Sequence, residues 1–231
     1  MNAATETDGV MFVDVMASAV HDIKNSIGIL LDSADGVAAA LPPDTAGGQQ
    51  LSALHYEARR INYDLMHLLG LYKAERKDFR LCAEVVQCEE ILEEIQAFNA
   101  DLLARRSISL EVFCPPLLEG YFDRELVRGV LNSVVNNAFR YASSRVELAG
   151  EVKDGYTVLR VDDDGAGYTP RLVEAGNAGP GRSNYHNGAT GLGLFFARRI
   201  AALHEHRGRR GHITLSNGSR IGGGRFELWI P

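Results

Sequence analysis

Two heptad patterns near the start of the chain restrict its fold more than any other feature. Apolar residues recur at alternating steps of three and four, as in helices that bury one narrow stripe. Leu41-Pro42-Pro43-Asp44 separates the two patterns, because proline cannot continue a helix. The first stripe consists of Val13, Met16, Val20, Ile23, Ile27, Leu30, Ala34, Val37 and Leu41, and the second of Leu51, Leu54, Ala58, Ile61, Leu65, Leu68 and Tyr72.

The connection between these two helices is short, and Gly47 and Gly48 complete the predicted loop. Helices joined in this way pack antiparallel, and one hairpin cannot enclose its own apolar stripe. We therefore predict a long antiparallel helical hairpin that pairs with a second copy in a four-helix bundle, so that the protein is a homodimer. On the heptads alone, a bundle that serves only dimerisation is the better interpretation.

Two glycine-rich stretches in the last third of the chain predict a nucleotide pocket. The first is Asp163-Asp164-Gly165-Ala166-Gly167, and the second, Gly188-Ala189-Thr190-Gly191-Leu192-Gly193-Leu194, leads into an apolar helical pattern. Glycine lets a backbone approach a ligand closely, and a glycine-rich turn before a helix points unpaired N–H groups at an anion. An ionised carboxylate accepts hydrogen bonds, so Asp163 is the candidate partner of a purine amino group.

A helix predicted over residues 123–142 precedes these stretches. Asparagine is a poor helix former, so Asn136 and Asn137 in its middle indicate a function for at least one of them. An amide oxygen beside a phosphate site suits Mg²⁺, which takes few protein ligands. One side of this helix is apolar, with Val127, Val130, Val134, Ala138 and Tyr141, and another carries Ser133, Asn137 and Arg140.

Together these stretches resemble the catalytic ATP-binding part of two-component sensor histidine kinases, within the GHKL ATPase superfamily. Asn137-Ala138-Phe139-Arg140-Tyr141 matches the N box, Asp163 to Gly167 the G1 box and Gly191-Leu192-Gly193-Leu194 the G2 box. The resemblance implies ATP and Mg²⁺, with Asn137 holding the metal, Arg140 near the phosphates, Tyr141 along the base and Asp163 reading the adenine amino group. It also implies ATP contacts at Gly165, Gly167, Thr190, Gly191, Leu192 and Gly193.

The first predicted helix carries His21-Asp22-Ile23-Lys24-Asn25, which resembles the H box of the same family. His21 and Asn25 lie one turn apart on an outward face, off the apolar stripe. The resemblance implies that His21 accepts the γ-phosphoryl group of ATP and passes it to an Asp of a response-regulator receiver domain. Asp22 would fix the imidazole tautomer and assist as base. Asn25 would orient a water for dephosphorylation of the regulator.

The expected architecture is α+β, with two domains. A helical hairpin for dimerisation and histidine phosphotransfer occupies residues 1–77, and a GHKL-type α/β sandwich, with helices on one face of a mixed sheet, occupies residues 78–231. Asp123 is the expected N-cap of the N-box helix. Residues 168–188 are predicted to form a loop, which the resemblance implies to be the ATP lid. Strands are predicted over 79–83, 108–113, 145–150, 156–162, 212–217 and 225–230, and helices over 86–105, 123–142 and 192–204.

The composition is that of an ordinary soluble protein, with 45% hydrophobic residues and 23% charged residues. A net charge of −6 argues against nucleic-acid binding, and three cysteines without a CxxC pair favour a reducing cytoplasm. No apolar run reaches the length of a membrane span, so we expect a cytoplasmic protein. The expected source of the stimulus is a separate sensor protein, the first ten residues, or none. His204 and His206 are predicted to be surface residues without a metal.

Two departures from the family pattern leave alternatives open. Ser133 stands where the family commonly has a first Asn of the N box, and Ser26 replaces the Pro common after the H box. A histidine phosphotransferase or response-regulator phosphatase that has lost autokinase activity is the main alternative. A non-enzymatic dimeric docking module is the alternative of another class. A serine-phosphorylating anti-sigma kinase would leave the His-bearing hairpin unexplained.

Overall fold

The structure is a computed structural model of the 231-residue chain. It describes residues 22–23, 25–34, 36–37, 45, 47–48, 50–51, 54, 57–58, 61, 65, 80–177 and 191–231. The chain divides into two units, Met1–Lys73 and Ala74–Pro231. The predicted boundary between residues 77 and 78 lies outside the described residues and stays a prediction. Among the described residues, no helix is both long enough and apolar enough to cross a membrane.

The first unit is helical at nearly every residue that is described. Residues 22–23, 25–34 and 36–37 fall in the first predicted helix, and residues 50–51, 54, 57–58, 61 and 65 in the second. The prediction that Gly47 and Gly48 form a loop is wrong, since both are helical. Thr45 Oγ1 accepts the Gly48 N–H at 3.1 Å, as an N-cap threonine does, and so starts the helix before the glycines. The packing of the predicted hairpin stays a prediction.

The two predicted apolar stripes are covered at some positions and open at others. Ala34 and Ala58 are buried, and Ile27, Leu51 and Leu65 are half-buried. The alternate heptad positions are between 45% and 51% exposed, namely Ile23, Leu30, Val37, Leu54 and Ile61. A single chain therefore leaves one row of large apolar side chains on each helix open to solvent.

The second unit is built on a five-stranded sheet, with four longer helices and short strand pairs around it. In chain order its elements are β1 (Glu84–Gln87), α1 (Cys88–Arg106), β2 (Ser109–Phe113), β3 (Glu119–Phe122), α2 (Arg124–Tyr141), β4 (Arg145–Lys153), β5 (Tyr156–Asp163), α3 (Pro170–Asn177), α4 (Gly191–Leu203), β6 (Glu205–His206), β7 (Arg209–Arg210), β8 (His212–Asn217) and β9 (Gly224–Ile230). The sheet order is β2-β4-β5-β9-β8. β2 is parallel to β4 and the other neighbours are antiparallel, so the sheet is mixed as predicted.

Strand periodicity separates an apolar face from a charged face. On the apolar face, Leu148 pairs with Val161, and Val161 pairs with Phe226. All three are buried, together with Leu131 and Val135 of α2 and Ile200 of α4. This arrangement is the expected α/β sandwich, and it places the end of β5 beneath α2.

Two differences from the predicted elements occur near the start of this unit. The predicted strand over 79–83 is wrong, since residues 80–83 form no strand. The first strand is β1, and it pairs with β3, which was not predicted. The physical reason is a side chain: Asp123 Oδ2 accepts the Cys82 N–H at 3.1 Å, which takes the backbone donor that a sheet would use. The other carboxylate oxygen accepts the Leu126 N–H at 3.1 Å, so Asp123 is the N-cap of α2 as predicted.

Two further elements interrupt segments that were predicted to be irregular. α3 lies inside the predicted loop 168–188, of which residues 178–188 lie outside the described part of the chain. β6 and β7 form a small hairpin after α4, with Arg207 at φ 50° and Gly208 at φ 76° in its turn. This hairpin carries His206, which is exposed as predicted.

His204 corrects the prediction that it lies at the surface, since it is buried where α4 ends. Its Nδ1 lies 2.8 Å from the Ile200 carbonyl, and its Nε2 accepts the Asp123 N–H at 3.1 Å. The neutral tautomer with a proton on Nδ1 satisfies both contacts. Burial lowers the pKa of His204, which the Ile200 carbonyl and the Asp123 carboxylate only partly oppose.

We expect the second unit to lose stability as the pH falls below about 6.5, the pKa of an unperturbed histidine. The folded-state pKa of His204 is lower, so below pH 6.5 the unfolded chain binds the proton first and unfolding is favoured. A His204→Gln variant should show a flatter pH dependence, whereas His206→Gln should match the parent. Urea unfolding followed by the fluorescence of Trp229, the chain's single tryptophan, measures this. Equal pH profiles for parent and His204→Gln would contradict it.

Candidate nucleotide site

The last residue of β5, Asp163, carries a carboxylate held by backbone N–H groups. Its Oδ1 accepts the Gly165 N–H at 2.8 Å and the Gly224 N–H at 3.3 Å. The side chain is 6% exposed and lies on the apolar face of the sheet, because Asp163 pairs with Val146. Among the described residues no donor reaches Oδ2. The structure therefore presents one oxygen of a fixed carboxylate to a hydrogen-bond donor.

The neighbouring carboxylate, Asp164, is used differently. Its oxygens accept the N–H groups of Ser143 and Ser144 at 2.8 Å and 3.0 Å and the Ser144 hydroxyl at 2.7 Å. Partial burial acts to raise the pKa of Asp164, but these donors outweigh it and lower the pKa to about 2. Asp164 thus fixes the segment between α2 and β4. Only Asp163 is left to face a ligand.

The environment of Asp163 disfavours its charge. Burial raises its pKa above the usual value, with the Gly165 and Gly224 N–H groups opposing the shift and the Asp164 and Asp162 charges adding to it. The nearby phenol of Tyr168 also has a raised pKa, through burial and then through the charges of Asp163 and Asp162. A carboxylate in such a site gains from a donor that a ligand supplies.

Gly165 brings the loop after β5 against the last turn of α2. A Cβ added at Gly165 would lie 2.2 Å from the Tyr141 carbonyl oxygen, so this close approach excludes any side chain. Gly167 has φ +78°, and a Cβ there would lie 2.7 Å from Asn217 Oδ1. Both glycines of the predicted stretch are therefore required by the backbone path.

Gly193 connects the second glycine-rich stretch to the same helix. A Cβ at Gly193 would lie 3.2 Å from Ser133 Oγ and 3.8 Å from Asn137 Nδ2. Ser133, Asn137 and Tyr141 are four residues apart, so they form one row along α2. The row spans roughly 12 Å at 1.5 Å per residue. One glycine segment meets each end of it, because Gly165 lies against Tyr141 and Gly193 lies against Ser133.

Oxygen donors suited to a magnesium ion lie on that row. Among the described residues no group of three or more His, Cys, Asp or Glu side chains is placed to hold a metal ion. Asn137 and Ser133 are half-buried and offer an amide and a hydroxyl beside the backbone of Gly193. Mg²⁺ usually takes one or two protein oxygens and completes its shell with phosphates and water, so this donor set fits it.

Two other predicted site residues, Arg140 and Tyr141, are more exposed to solvent than Asp163. Arg140 is exposed, and its guanidinium lies 5.7 Å from the centre of the Tyr141 ring. Tyr141 is 52% exposed, so the indication from the helical pattern that it belongs to the apolar core is wrong. Gly191 and Leu192 begin α4, whose N-terminal N–H groups suit an anion. Thr190 lies outside the described residues. The roles of all these residues stay predictions.

The predicted phosphotransfer residues belong to the first unit. Asp22 and Asn25 are helical and exposed, as their position off the stripe requires. Ser26 Oγ donates to the Asp22 carbonyl oxygen at 2.9 Å, within the same helix. His21 lies outside the described residues, so its role as phosphoryl acceptor stays a prediction.

Sequence reasoning missed the residues that support Asp163 from the far end of the chain. Asn217 exchanges two hydrogen bonds with the Tyr168 backbone, at 2.7 Å and 2.8 Å. Gly223 N–H and Ser219 Oγ donate to the Asp163 carbonyl oxygen at 3.0 Å and 3.2 Å. The sequence signals for these contacts are the Asn217-Gly218 turn dipeptide and the run Gly222-Gly223-Gly224. They could not be connected to Asp163 without knowing that β9 lies beside β5.

The fixed Asp163 carboxylate, the two glycine segments and the row of Ser133, Asn137 and Tyr141 on α2 match the GHKL-type pattern predicted from the sequence. Residues 122–231 match the family model described as histidine kinase-, DNA gyrase B-, and HSP90-like ATPase. This match, together with relatives named as sensor histidine kinases, supports a two-component histidine kinase catalytic core in the chain.

Curated relatives agree with this class. The sensor histidine kinase CpxA of Escherichia coli K12 is 28% identical over 192 residues, covering 79% of this chain and 40% of CpxA. YkoH of Bacillus subtilis is 25% identical over 191 residues, covering 77% of this chain and 41% of YkoH. The chain thus spans about four tenths of the length of these relatives.

Solved structures share the fold. The Acinetobacter baumannii histidine kinase AdeS aligns with a TM-score of 0.58 at 20% identity, over 89% of this chain and 95% of that one. The catalytic domain of histidine kinase ThkA aligns at 0.53 and 21% identity, over 64% of this chain and 96% of that domain. Full-length ShkA in complex with AMPPNP aligns at 0.58 and 20% identity, over 94% of this chain and 44% of ShkA.

Proposed function

We propose that the chain is an ATP-dependent protein histidine kinase, which phosphorylates His21 and passes the phosphoryl group to an Asp of a response-regulator receiver domain. The observation that carries the proposal is the Asp163 carboxylate, buried and held by two glycine N–H groups at one end of the α2 row. The names of the curated relatives, which are sensor histidine kinases, support the same activity.

ATP would lie along α2, with its base at Asp163 and its phosphates towards Gly193. Asp163 Oδ2 accepts a hydrogen bond from the adenine amino group, while Tyr141 lies along the base and Gly165 and Gly167 line its edge. The phosphates meet Arg140 and the N–H groups that begin α4, around Thr190, Gly191, Leu192 and Gly193. Asn137 would hold Mg²⁺, which would supply charge neutralisation at the phosphates.

The acceptor would be the unprotonated ring nitrogen of His21, which is nucleophilic near neutral pH. It forms a bond to the γ-phosphorus as the bond from that phosphorus to the β,γ-bridging oxygen breaks, and ADP leaves with the electron pair. Asp22 accepts a hydrogen bond from the other ring N–H and fixes the tautomer. Asn25, which is exposed on the same helix as Asp22, would orient the water that removes phosphate from the regulator.

The open apolar rows of the first unit support dimerisation through that unit. Ile23, Leu30 and Val37 on one helix, with Leu54 and Ile61 on the other, are too exposed for a stable isolated hairpin. Pairing with a second copy in a four-helix bundle buries them. A separate sensor protein as the source of the stimulus and a cytoplasmic location complete the proposal.

The test is incubation of the purified chain with γ-labelled ATP and Mg²⁺. We expect acid-labile, alkali-stable label on the parent, as phosphohistidine gives, and none on His21→Ala, which lacks the acceptor. Asn137→Ala should also lose the label, because it lacks the metal ligand. Label on His21→Ala would refute His21 as the acceptor. No label on a folded, dimeric parent would favour the phosphotransferase or phosphatase alternative. A docking module would be favoured if the parent shows no phosphotransfer and His21→Ala binds its partner as well as the parent does.

A further inference from the structure

The turn between β8 and β9, residues 218–223, packs directly on the backbone of Asp163. Gly223 N–H and Ser219 Oγ both donate to the Asp163 carbonyl oxygen, at 3.0 Å and 3.2 Å. Ser219 is 7% exposed, so its hydroxyl is withdrawn from solvent for this contact. A Cβ at Gly223 would lie 2.5 Å from the same carbonyl oxygen and 2.6 Å from Asp163 Oδ1. The turn and the carboxylate are therefore one packed unit.

The strand that follows this turn sets the orientation of the carboxylate. Gly224 N–H donates to Oδ1 at 3.3 Å, opposite the Gly165 N–H at 2.8 Å. A Cβ at Gly224 would lie 2.9 Å from Oδ2, so β9 also limits where that oxygen can swing. Displacement of the turn would rotate the Asp163 side chain and move the one oxygen that is free to accept a ligand donor.

The same turn is anchored on the opposite, charged face of the sheet. Arg220 Nη2 lies 2.8 Å from Glu147 Oε1, and Glu147 is fully buried although it faces away from the apolar core. Arg145 Nη2 shares that oxygen at 2.9 Å, and the Arg220 guanidinium lies 4.9 Å from the centre of the Phe113 ring. Arg220 thus extends across β5 and β4 and restrains the turn from the side opposite Ser219.

We infer that Ser219 is a positioning residue for nucleotide selectivity, which fixes Asp163 so that Oδ2 meets the amino group of adenine. The inference rests on the proposed ATP-binding function and adds to it a residue that touches only the protein. Ser219 acts through the Asp163 carbonyl, so its removal weakens recognition of the purine amino group and leaves phosphate and metal contacts on α2 and α4 unchanged. Selectivity, rather than overall affinity, is the property that it controls.

The experiment compares binding of Mg·ATP and of purine riboside triphosphate, which lacks the amino group, to the full chain by calorimetry. Ser219→Ala should weaken ATP binding about three- to tenfold, the loss of one neutral hydrogen bond, and leave the analogue within about twofold of the parent. Ser219→Thr keeps the hydroxyl and should restore the preference for ATP. Ser216→Ala removes an exposed serine of β8, three residues away, and should change neither affinity.

The outcomes separate this inference from the proposed function. A parent that binds ATP no better than the analogue would refute Asp163 as the reader of adenine. A parent that prefers ATP, with Ser219→Ala keeping the full preference, would overturn the role of Ser219 alone. Equal weakening of both nucleotides in Ser219→Ala would show a general structural effect and would also overturn it.

Discussion

Replacement of Asp163 by asparagine is expected to weaken ATP binding by at least about a hundredfold and to remove autophosphorylation with it. The amide is isosteric, and its oxygen can still accept the Gly165 and Gly224 N–H groups. Its nitrogen then replaces Oδ2 and presents a donor to the adenine amino group, which is also a donor. Loss of a charge-assisted hydrogen bond together with a buried unpaired donor costs about 3 kcal/mol or more, which corresponds to this factor.

The same substitution should leave the domain as stable as the parent. Burial raises the pKa of Asp163, so the folded state disfavours the charge that asparagine removes. Asp154→Asn is the matched control, because Asp154 is exposed in the β4–β5 turn at φ 52°, a conformation that asparagine accepts. Calorimetric ATP titration measures binding, and urea unfolding followed by Trp229 fluorescence measures stability. ATP affinity of Asp163→Asn within threefold of the parent would contradict the assignment.

Local patterns in the sequence were sufficient to predict α2 and the strands β4 and β5, which carry the row on α2 and Asp163. The periodicity of α2 fixed its buried side, since Val127, Val130, Val134 and Ala138 are all in the core. Both glycine stretches lie against this helix in the structure, where a Cβ would meet Tyr141 or Ser133. The Asp154-Gly155 turn likewise aligned β4 with β5.

Contacts between distant segments were not predictable in this way. The support of Asp163 by Ser219 and Gly223 joins residues far apart in sequence, and depends on β9 lying beside β5. The burial of His204 depends on the Asp123 backbone, which the pattern of α4 does not contain. Tyr141 fits the apolar side of α2, but the helix ends there and the side chain is 52% exposed. The positions of these residues depend on tertiary contacts, which the local periodicity of the sequence does not predict.

Replacement of Gly165 by alanine is expected to destabilise the second unit by at least about 2 kcal/mol, since inserted atoms in a packed site force the backbone to shift. The new methyl group would lie 2.2 Å from the Tyr141 carbonyl oxygen and 2.8 Å from its carbon. These atoms belong to the last turn of α2, so no side-chain rotation relieves the contact. ATP binding should fall in the same variant, because Gly165 N–H holds Asp163 Oδ1.

The matched control lies in α2 itself. Among the residues that the structure describes, a Cβ at Gly129 would meet only Phe196 Cε1, at 4.0 Å. Gly129→Ala therefore has room and should stabilise the helix by roughly 0.5–1 kcal/mol. Urea unfolding followed by Trp229 fluorescence distinguishes the two glycines, and equal stability of Gly165→Ala and the parent would contradict the close approach. Asp163→Asn loses binding but keeps its stability, whereas Gly165→Ala loses both. That contrast assigns ligand recognition to the carboxylate and assigns its placement to the crossing of the β5 loop over α2.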